Sequence, residues 1–222
     1  MGRRDGELQT TIERLSVVRR FDREAFRHVV ETFHTALPFD SFDRIADLSF
    51  VTRSDDGFLT LHNVVAAAIR EQLSEEKRQS SLEALFEHYS ERARVASHFE
   101  LNESKITALI EAAYLRREIG SDGYVEWLAQ MGEPLIVGAY YATAEALWRE
   151  ALSFVERVLG PDHPSTAASY NNVAYCLNAQ GRSAEAEPLY RKALEISERV
   201  LGPDHPSTVQ IRQNLSAFQR RA

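Results

Sequence analysis

One segment of eight residues occurs twice in the chain. Leu-Gly-Pro-Asp-His-Pro-Ser-Thr spans residues 159–166 and again residues 201–208, an offset of 42 residues. The longer stretches 142–166 and 184–208 align without a gap and share 18 of 25 residues. Repeats of this length are typical of arrays of stacked helical units, in which each unit buries the apolar face of its neighbour. Such arrays usually bind other proteins, so the repeat predicts a binding protein rather than an enzyme.

The composition is that of a globular protein, with 44% hydrophobic and 27% charged residues among 222. No apolar run reaches the roughly 20 residues needed to cross a bilayer, and the first residues lack the apolar core of a signal peptide. The single cysteine, Cys176, is typical of a reducing compartment. We therefore expect a cytoplasmic protein with no membrane partner. The net charge of −7 leaves no basic half that would indicate nucleic-acid binding.

The N-terminal region combines helical and strand periodicities. Apolar spacing predicts helices over 7–20 and 23–34 and a third helix that Asp40 or Ser41 caps, with Asp22 as the N-cap of the second. Two β-prone runs, 50–53 and 58–61, flank an Asp-Gly pair and predict a hairpin, because glycine tolerates the positive φ of a tight turn. A further helix follows over 62–73. This order is typical of a winged-helix domain, which we assign to residues 1–74.

Two motifs in this region resemble the winged-helix segment that follows the nucleotide-binding core of bacterial STAND (NB-ARC-type) ATPases. They are Arg-Phe-Asp-Arg-Glu-Ala-Phe at 20–26 and Phe-Leu-Thr-Leu-His-Asn-Val-Val at 58–65. The resemblance implies that His62 and Asn63 are the relic of a nucleotide sensor, although the family's Met-His-Asp here reads Leu-His-Asn. The alternative is that they simply begin a helix. Because no Gly-x-x-x-x-Gly-Lys-Ser/Thr loop is present, we predict no cofactor and place any ATPase core upstream or in trans.

Two more helices, over 74–98 and 105–119, are predicted to form a connector, residues 75–120. Residues 121–222 then resemble the tetratricopeptide repeat (TPR) in the 42-residue form of kinesin light chains, which is common behind bacterial NB-ARC domains. That repeat places large and small residues at fixed positions of its helices A and B, so that small side chains let the helices approach. In the second repeat these residues are Tyr170, Val173, Ala174, Leu177, Ala186, Tyr190 and Ala193, and in the first they are Leu128, Met131, Gly132, Leu135, Ala144, Trp148 and Ala151.

Three details of the array follow from this register. Pro134 is expected to kink or end helix A of the first repeat. Residues 207–220 are expected to form a capping helix, because their pattern positions are mostly polar. The repeated Gly-Pro-Asp-His-Pro offers His163 and His205 as metal ligands. We favour a turn between helices, with glycine in a left-handed conformation and Asp162 or Ser165 as the next N-cap, and predict no metal site.

The TPR resemblance implies a groove lined by helix A. In the first repeat the groove positions are Glu126, Ala129, Glu133 and Ile136, and Ala168 begins the second set. Amide side chains suit a groove because they offer a donor and an acceptor to a peptide unit, and Asn171-Asn172 matches the asparagine pair of kinesin-light-chain-like repeats. The alternative is a solvated polar surface. The predicted partner-binding residues are Asn171, Asn172, Tyr175, Asn178, Gln210, Gln213 and Arg220.

Together these patterns predict a mainly α fold: a winged-helix domain with one β-hairpin, a helical connector and a short TPR superhelix. The predicted function is protein–protein interaction, as the sensor or scaffold half of a STAND-like signalling regulator. The alternative is a winged-helix transcriptional regulator that binds DNA. Three carboxylates in the recognition helix, Asp40, Asp43 and Asp47, would repel phosphates. No arrangement of catalytic residues is apparent, and Cys176 lacks the partners of a nucleophile.

Overall fold

The computed structural model describes residues 3–95, 100–120 and 122–220. This part of the chain contains eleven helices and one two-stranded hairpin, which confirms the predicted mainly α fold. The chain divides into two compact units: Met1–Arg94 with Glu103–Ile119, and Val95–Asn102 with Gly120–Ala222. The division into residues 1–74, 75–120 and 121–222 stays a prediction, and the two helices predicted as a connector belong to the first unit.

The first unit follows the predicted order of elements: α1 (Arg3–Leu15), α2 (Arg23–Thr32), α3 (Ser41–Ala46), β1 (Val51–Arg53), β2 (Leu59–Leu61), α4 (Asn63–Gln72), α5 (Glu75–Ala93) and α6 (Glu103–Ile119). Asp22 caps α2 as predicted, because its carboxylate accepts a 2.9 Å hydrogen bond from Ala25 N. The same carboxylate forms a 2.8 Å ion pair with Arg92, which ties α5 to the start of α2.

The hairpin is confirmed. Its strands are antiparallel, Thr52 lies opposite Thr60, and Gly57 in the turn has a φ of +86°. Phe21 extends the pairing on the other edge of β2, since its N–H and C=O exchange hydrogen bonds of 2.9 and 2.8 Å with Leu59. The phenyl ring of Phe42 then packs edge-on against those of Phe21 and Phe26, so one part of the core of this unit lies between α2, α3 and the hairpin. Buried residues of α5 and α6, such as Leu85 and Leu109, form another part.

The second unit contains α7 (Tyr124–Val137), α8 (Tyr141–Val158), α9 (Pro164–Ala179), α10 (Ser183–Leu201) and α11 (Pro206–Gln219). Each helix packs against the next one along the chain, and α9 also packs against α7 and α11. The predicted small residues of the second repeat, Ala174, Ala186 and Ala193, are fully buried. Gly132, by contrast, does not need to be glycine, because a Cβ there would meet no atom within 4 Å.

Pro134 does not end α7 early. The helix continues for three residues beyond Pro134 and ends at Val137. The equivalent residue of the next repeat, 42 positions later, is Ala179, which is likewise the last residue of its helix, α9. The expectation that the helix ends early was therefore wrong, whereas a kink at Pro134 stays a prediction. A proline removes one backbone donor, but α7 packs against α8 and α9, and Leu135 next to the proline is fully buried.

The repeated loops are turns, as predicted, but their caps differ from the prediction. Gly160 and Gly202 have φ values of +90° and +88°. The N-caps of α9 and α11 are His163 and His205, whose Nδ1 atoms accept hydrogen bonds of 3.1 and 3.2 Å from the N–H groups two residues later. Asp162 and Ser165 are not the caps, because proline occupies the first helical position and makes the preceding histidine the cap.

Candidate functional site

The predicted partner-binding residues of α9 differ in exposure. Tyr175 is 40% exposed, whereas Asn171 is only 9% exposed, and Asn172 and Asn178 are half-buried. The helix therefore presents one aromatic ring to solvent beside amide groups that are partly withdrawn from it. A ring that is apolar on its faces and polar at its hydroxyl is well suited to contact a partner.

Four amide side chains form one continuous row across α11 and α9. Gln210 Nε2 donates to Asn214 Oδ1 at 3.1 Å, and Asn214 Nδ2 donates to Asn171 Oδ1 at 2.9 Å. Asn171 Nδ2 then donates to Asn172 Oδ1 at 3.2 Å. All three bonds run in the same direction. Among the described residues, Asn172 Nδ2 and Gln210 Oε1 have no hydrogen-bond partner, so the row ends in a donor at α9 and an acceptor at α11.

Asn214 was not among the predicted residues. The sequence carried a signal for it, since Asn214 lies 42 residues after Asn172 and occupies the same position of the repeat. The groove pattern instead predicted that the preceding residue, Gln213, contacts the partner protein. The structure shows that the amide contact between neighbouring A helices is made by Asn214 instead.

The other two predicted residues of α11 lie together at a hollow of about 290 Å³. Gln213 and Arg220 line it with Val209, Arg212 and Ser216. Arg212 forms a 2.6 Å ion pair with Glu198 of α10, whereas Arg220 has no ion-pair partner among the described residues. This hollow therefore carries positive charge.

The equivalent positions of α7 carry the opposite charge. Glu126, Ala129 and Glu133 are exposed and Ile136 is half-buried. Neither carboxylate has an ion-pair partner in the described parts of the chain. The residues assigned to the groove thus change from acidic on α7 through neutral amides on α9 to basic on α11.

Other charged groups of this unit are used between neighbouring repeats. Glu145 is 7% exposed and pairs with Arg149 at 2.7 Å and Arg182 at 2.8 Å. Burial acts to raise the pKa of Glu145, but hydrogen bonds from Arg149 and Gln180 outweigh it and hold the pKa below its usual value. Tyr170 bridges Glu156 and Lys192 in a similar way. These charged groups therefore join the repeats to one another.

Cys176 is fully buried on α9. Burial, together with the nearby Glu145 carboxylate, raises the pKa of the Cys176 thiol to about 12. A thiol that does not ionise near neutral pH is a poor nucleophile, so Cys176 is a packing residue of α9.

The two residues interpreted as a relic nucleotide sensor lie at the surface of the first unit. His62 is exposed and precedes α4, with Nε2 3.2 Å from Thr52 Oγ1. Asn63, the first residue of α4, is also exposed and lines an open cavity with Arg70. Their assignment to nucleotide sensing stays a prediction.

One carboxylate of the predicted recognition helix, Asp43, is paired with arginines of the same unit. Arg23 Nη2 donates to both oxygens of Asp43 at 2.9 Å, and Arg53 of the hairpin lies 3.6 Å from Asp43. The hydrogen bond from Arg23 lowers the pKa of Asp43, so this carboxylate is ionised at neutral pH. Arg53 of the hairpin is therefore engaged by Asp43 rather than available to a DNA phosphate.

The tetratricopeptide repeat family matches residues 141–198 and 166–222. Residues 141–222 therefore carry tetratricopeptide repeats, as predicted. Repeats of this family are protein–protein interaction modules, so the coarse functional prediction is confirmed for this part of the chain. The match begins at α8 and does not include α7. A comparison with curated proteins found no match. Among the described residues, no helix could span a membrane and no group of side chains is suited to a metal ion.

Proposed function

We propose that the second unit binds an extended segment of a partner protein across α7, α9 and α11. The observation that carries this proposal is the amide row from Gln210 to Asn172. A peptide backbone alternates donors and acceptors, and the row ends in one of each. Tyr175 on the same helix as Asn171 supplies an exposed aromatic contact. The amides bind the peptide backbone, which is the same for every sequence, so specificity for particular side chains has to come from other groups.

The charges at the two ends of this surface favour one orientation of the segment. Glu126 and Glu133 attract a basic residue over α7, and Arg220 attracts an acidic residue at the hollow on α11. Because neighbouring helices pack roughly 10 Å apart, two such steps separate α7 from α11 by about 20 Å. At roughly 3.3 Å per residue an extended segment needs about six residues to cover that distance.

The wider role follows from the resemblance of the first unit to STAND ATPases. In this hypothesis the chain is the sensor or scaffold half of a cytoplasmic bacterial signalling regulator. Binding in the second unit would be relayed through the winged-helix-like first unit to a nucleotide-binding core, encoded upstream or supplied in trans. The supporting observations are the two motifs at 20–26 and 58–65.

The test uses two fluorescent peptides that have the same composition and opposite polarity. One carries two lysines before a six-residue alanine and serine spacer and two aspartates after it, and the other is its reverse. Fluorescence anisotropy with the full chain should show tighter binding of one peptide. Exposed ion pairs contribute about 0.2–1 kcal/mol each, so for the two ends together we expect a preference of roughly twofold to thirtyfold at low salt.

Charge-reversal variants show which charged residues bind each end of the peptide. Glu133→Lys and Arg220→Glu should each weaken the preferred peptide and reduce the preference. Tyr175→Ala should weaken both peptides equally. Glu195 is also an exposed carboxylate, but it lies on α10 outside the proposed surface, so Glu195→Lys is the matched control and should change the affinity of neither peptide. If the two peptides bind with equal affinity in every variant, the proposed orientation of the segment is refuted. If replacing Tyr175 or Asn171 does not change the affinity of either peptide, the proposed binding surface is refuted.

A further inference from the structure

Helix α4 of the first unit has an outer face without charge. Of its ten residues, Ala66 alone is buried. Val64 is 82% exposed, and Ala67 and Ala68, one turn further along, are exposed as well. At about 100° per residue these three side chains lie on the same side of the helix. A surface helix normally carries polar or charged residues there, so this face is suited to contact another protein.

A cavity of about 420 Å³ lies beside the C-terminal half of the same helix. Cavities of roughly 300–1,000 Å³ hold whole drug-sized ligands, so this one has room for an aliphatic side chain. The polar part of its lining includes Glu13 and Lys77, which pair with each other. Gln72 of α4 also lines it. The apolar lining residues are Leu8, Ile12, Leu48, Phe50, Ile69 and Leu73.

The exposed valine and the cavity belong to opposite ends of α4. Val64 is the second residue of the helix and Gln72 is its last, so they lie about 12 Å apart along the axis at 1.5 Å per residue. In two copies whose α4 helices pack antiparallel about a two-fold axis at Ala68, Val64 of each copy lies opposite Gln72 of the other. Each valine then reaches the other copy's cavity. The alanines at the axis allow the two helices to approach closely.

The two ends of α4 are also complementary in charge. Its first turn has no acidic residue, and its N-cap, His62, makes no side-chain cap hydrogen bond. Glu71 in the last turn is exposed and forms no ion pair with any described residue. A carboxylate is stabilised near a helix N-terminus and is unfavourable near the C-terminus of its own helix. The antiparallel arrangement brings each Glu71 towards the N-terminus of the other α4, where its charge is favourable.

We propose that the chain forms a two-fold symmetric dimer in which α4 packs antiparallel against α4 of a second copy and Val64 of each copy enters the cavity of the other. The pairing removes two exposed valines from water and fills two apolar cavities. A second copy is the occupant because one helix carries both the protruding side chain and the cavity, and both the free carboxylate and the N-terminus that attracts it. The dimer is independent of the peptide-binding surface, which lies in the other unit.

The interface is small, so the dimer is weak. One short helix per chain buries less than the roughly 800 Å² per partner of a standard interface, and we expect a dissociation constant on the order of 10–100 μM. Sedimentation velocity of the full chain from about 5 to 500 μM should show a sedimentation coefficient that rises with concentration. A chain that stays monomeric throughout would overturn the proposal and leave the face to a different protein or a small ligand.

One substitution tests the contact made by the valine. Val64→Asp should weaken the dimer at least tenfold, because it places a charge at each cavity. The loss cannot come from unfolding of α4, since an aspartate in the first turn favours a helix. Val158→Asp, at an exposed valine of the second unit, is the matched control and should leave the dimer unchanged. A dimer that Val64→Asp does not weaken would overturn the proposed contact.

A disulfide tests the symmetry axis. Ala68→Cys places two thiols at the axis, so mild oxidation should link the two copies; a disulfide requires Cα atoms within about 7 Å. Ala184→Cys, at an exposed alanine of α10, is the control and should not link. The natural Cys176 is buried and does not compete. If Ala68→Cys does not link, or if both variants link at the same rate, the antiparallel pairing of α4 is overturned.

Discussion

Replacing Asn171 by leucine removes the acceptor of the 2.9 Å hydrogen bond from Asn214, which joins α11 to α9. A lost hydrogen bond costs about 1 kcal/mol, and a donor left buried without a partner costs about 1–3 kcal/mol. Because Asn214 is half-buried and water can reach its amide, we expect the lower part of that range, about 1–1.5 kcal/mol in the free energy of unfolding. Asn214→Leu should cost a similar amount, since it leaves the buried Oδ1 of Asn171 without its donor.

The double variant provides the decisive measurement. When both asparagines become leucine, neither residue leaves the other with an unsatisfied amide, and the two apolar side chains can pack together. The outer bonds of the row, to Gln210 and Asn172, are lost in the single variants as well and therefore cancel in the comparison. The double variant should therefore lose less than the sum of the single variants, with a coupling of about 1 kcal/mol. Asn178→Leu is the matched control: it is a half-buried asparagine on the same helix that makes no side-chain hydrogen bond among the described residues, and it should change stability by less than about 0.5 kcal/mol.

Urea unfolding followed by tryptophan fluorescence measures the free energy of unfolding of the second unit. Both tryptophans of the chain, Trp127 and Trp148, lie in the second unit, so the signal reports its unfolding alone. Additive losses in the double variant would show that Asn171 and Asn214 do not interact. The amide row, and with it the argument for peptide binding, would then fail.

Three further predictions concern single residues. Gly132→Ala should raise the free energy of unfolding of the second unit by about 0.5–1 kcal/mol, because a Cβ fits there and glycine weakens a helix; a loss of stability in the same fluorescence assay would show that the space is not free. Cys176, with its pKa raised to about 12 by burial, should not react with a thiol reagent in the native protein and should react fully in urea. Rapid native labelling would contradict this burial. His88 has its pKa lowered from 6.5 to about 4 by burial and by the nearby His28, so the unfolded chain takes up a proton in that window before the folded chain does. Stability should therefore fall as the pH is lowered from about 6.5 to about 4, and an NMR titration of the His88 ring that gives a pKa near 6.5 would exclude the effect.

The local features of the fold could be predicted well because they depend on neighbouring residues. The hairpin, the cap by Asp22 and the turns at Gly160 and Gly202 all follow from side-chain chemistry within a few positions. The prediction failed where a local rule met tertiary packing. Pro134 is a helix breaker in isolation, yet α7 reaches Val137, and Leu135 beside the proline is fully buried where α7 packs on its neighbours.

The candidate site could be predicted only in part. The 42-residue register located Asn171, Asn172 and Gln210, which the structure joins in one row. It also put Gln213 and Arg220 in the same set, although these two line a separate hollow on α11. The register makes Asn214 the equivalent of Asn172 in the next repeat. The hydrogen bond between Asn214 and Asn171, however, depends on how α11 is rotated against α9. One residue along a helix changes the direction of a side chain by about 100°.

The repeated Leu-Gly-Pro-Asp-His-Pro-Ser-Thr by itself predicted stacked helical pairs over residues 121–222, because turn chemistry and apolar spacing act over short distances along the chain. The family match covers residues 141–222 of this range. Only the tertiary structure decided which side chains meet. Glu111 lies 91 residues from Arg20, and Asn214 lies 43 residues from Asn171. Contacts over such separations arise when helices pack in one orientation, and no local pattern encodes the partner of a single amide or carboxylate.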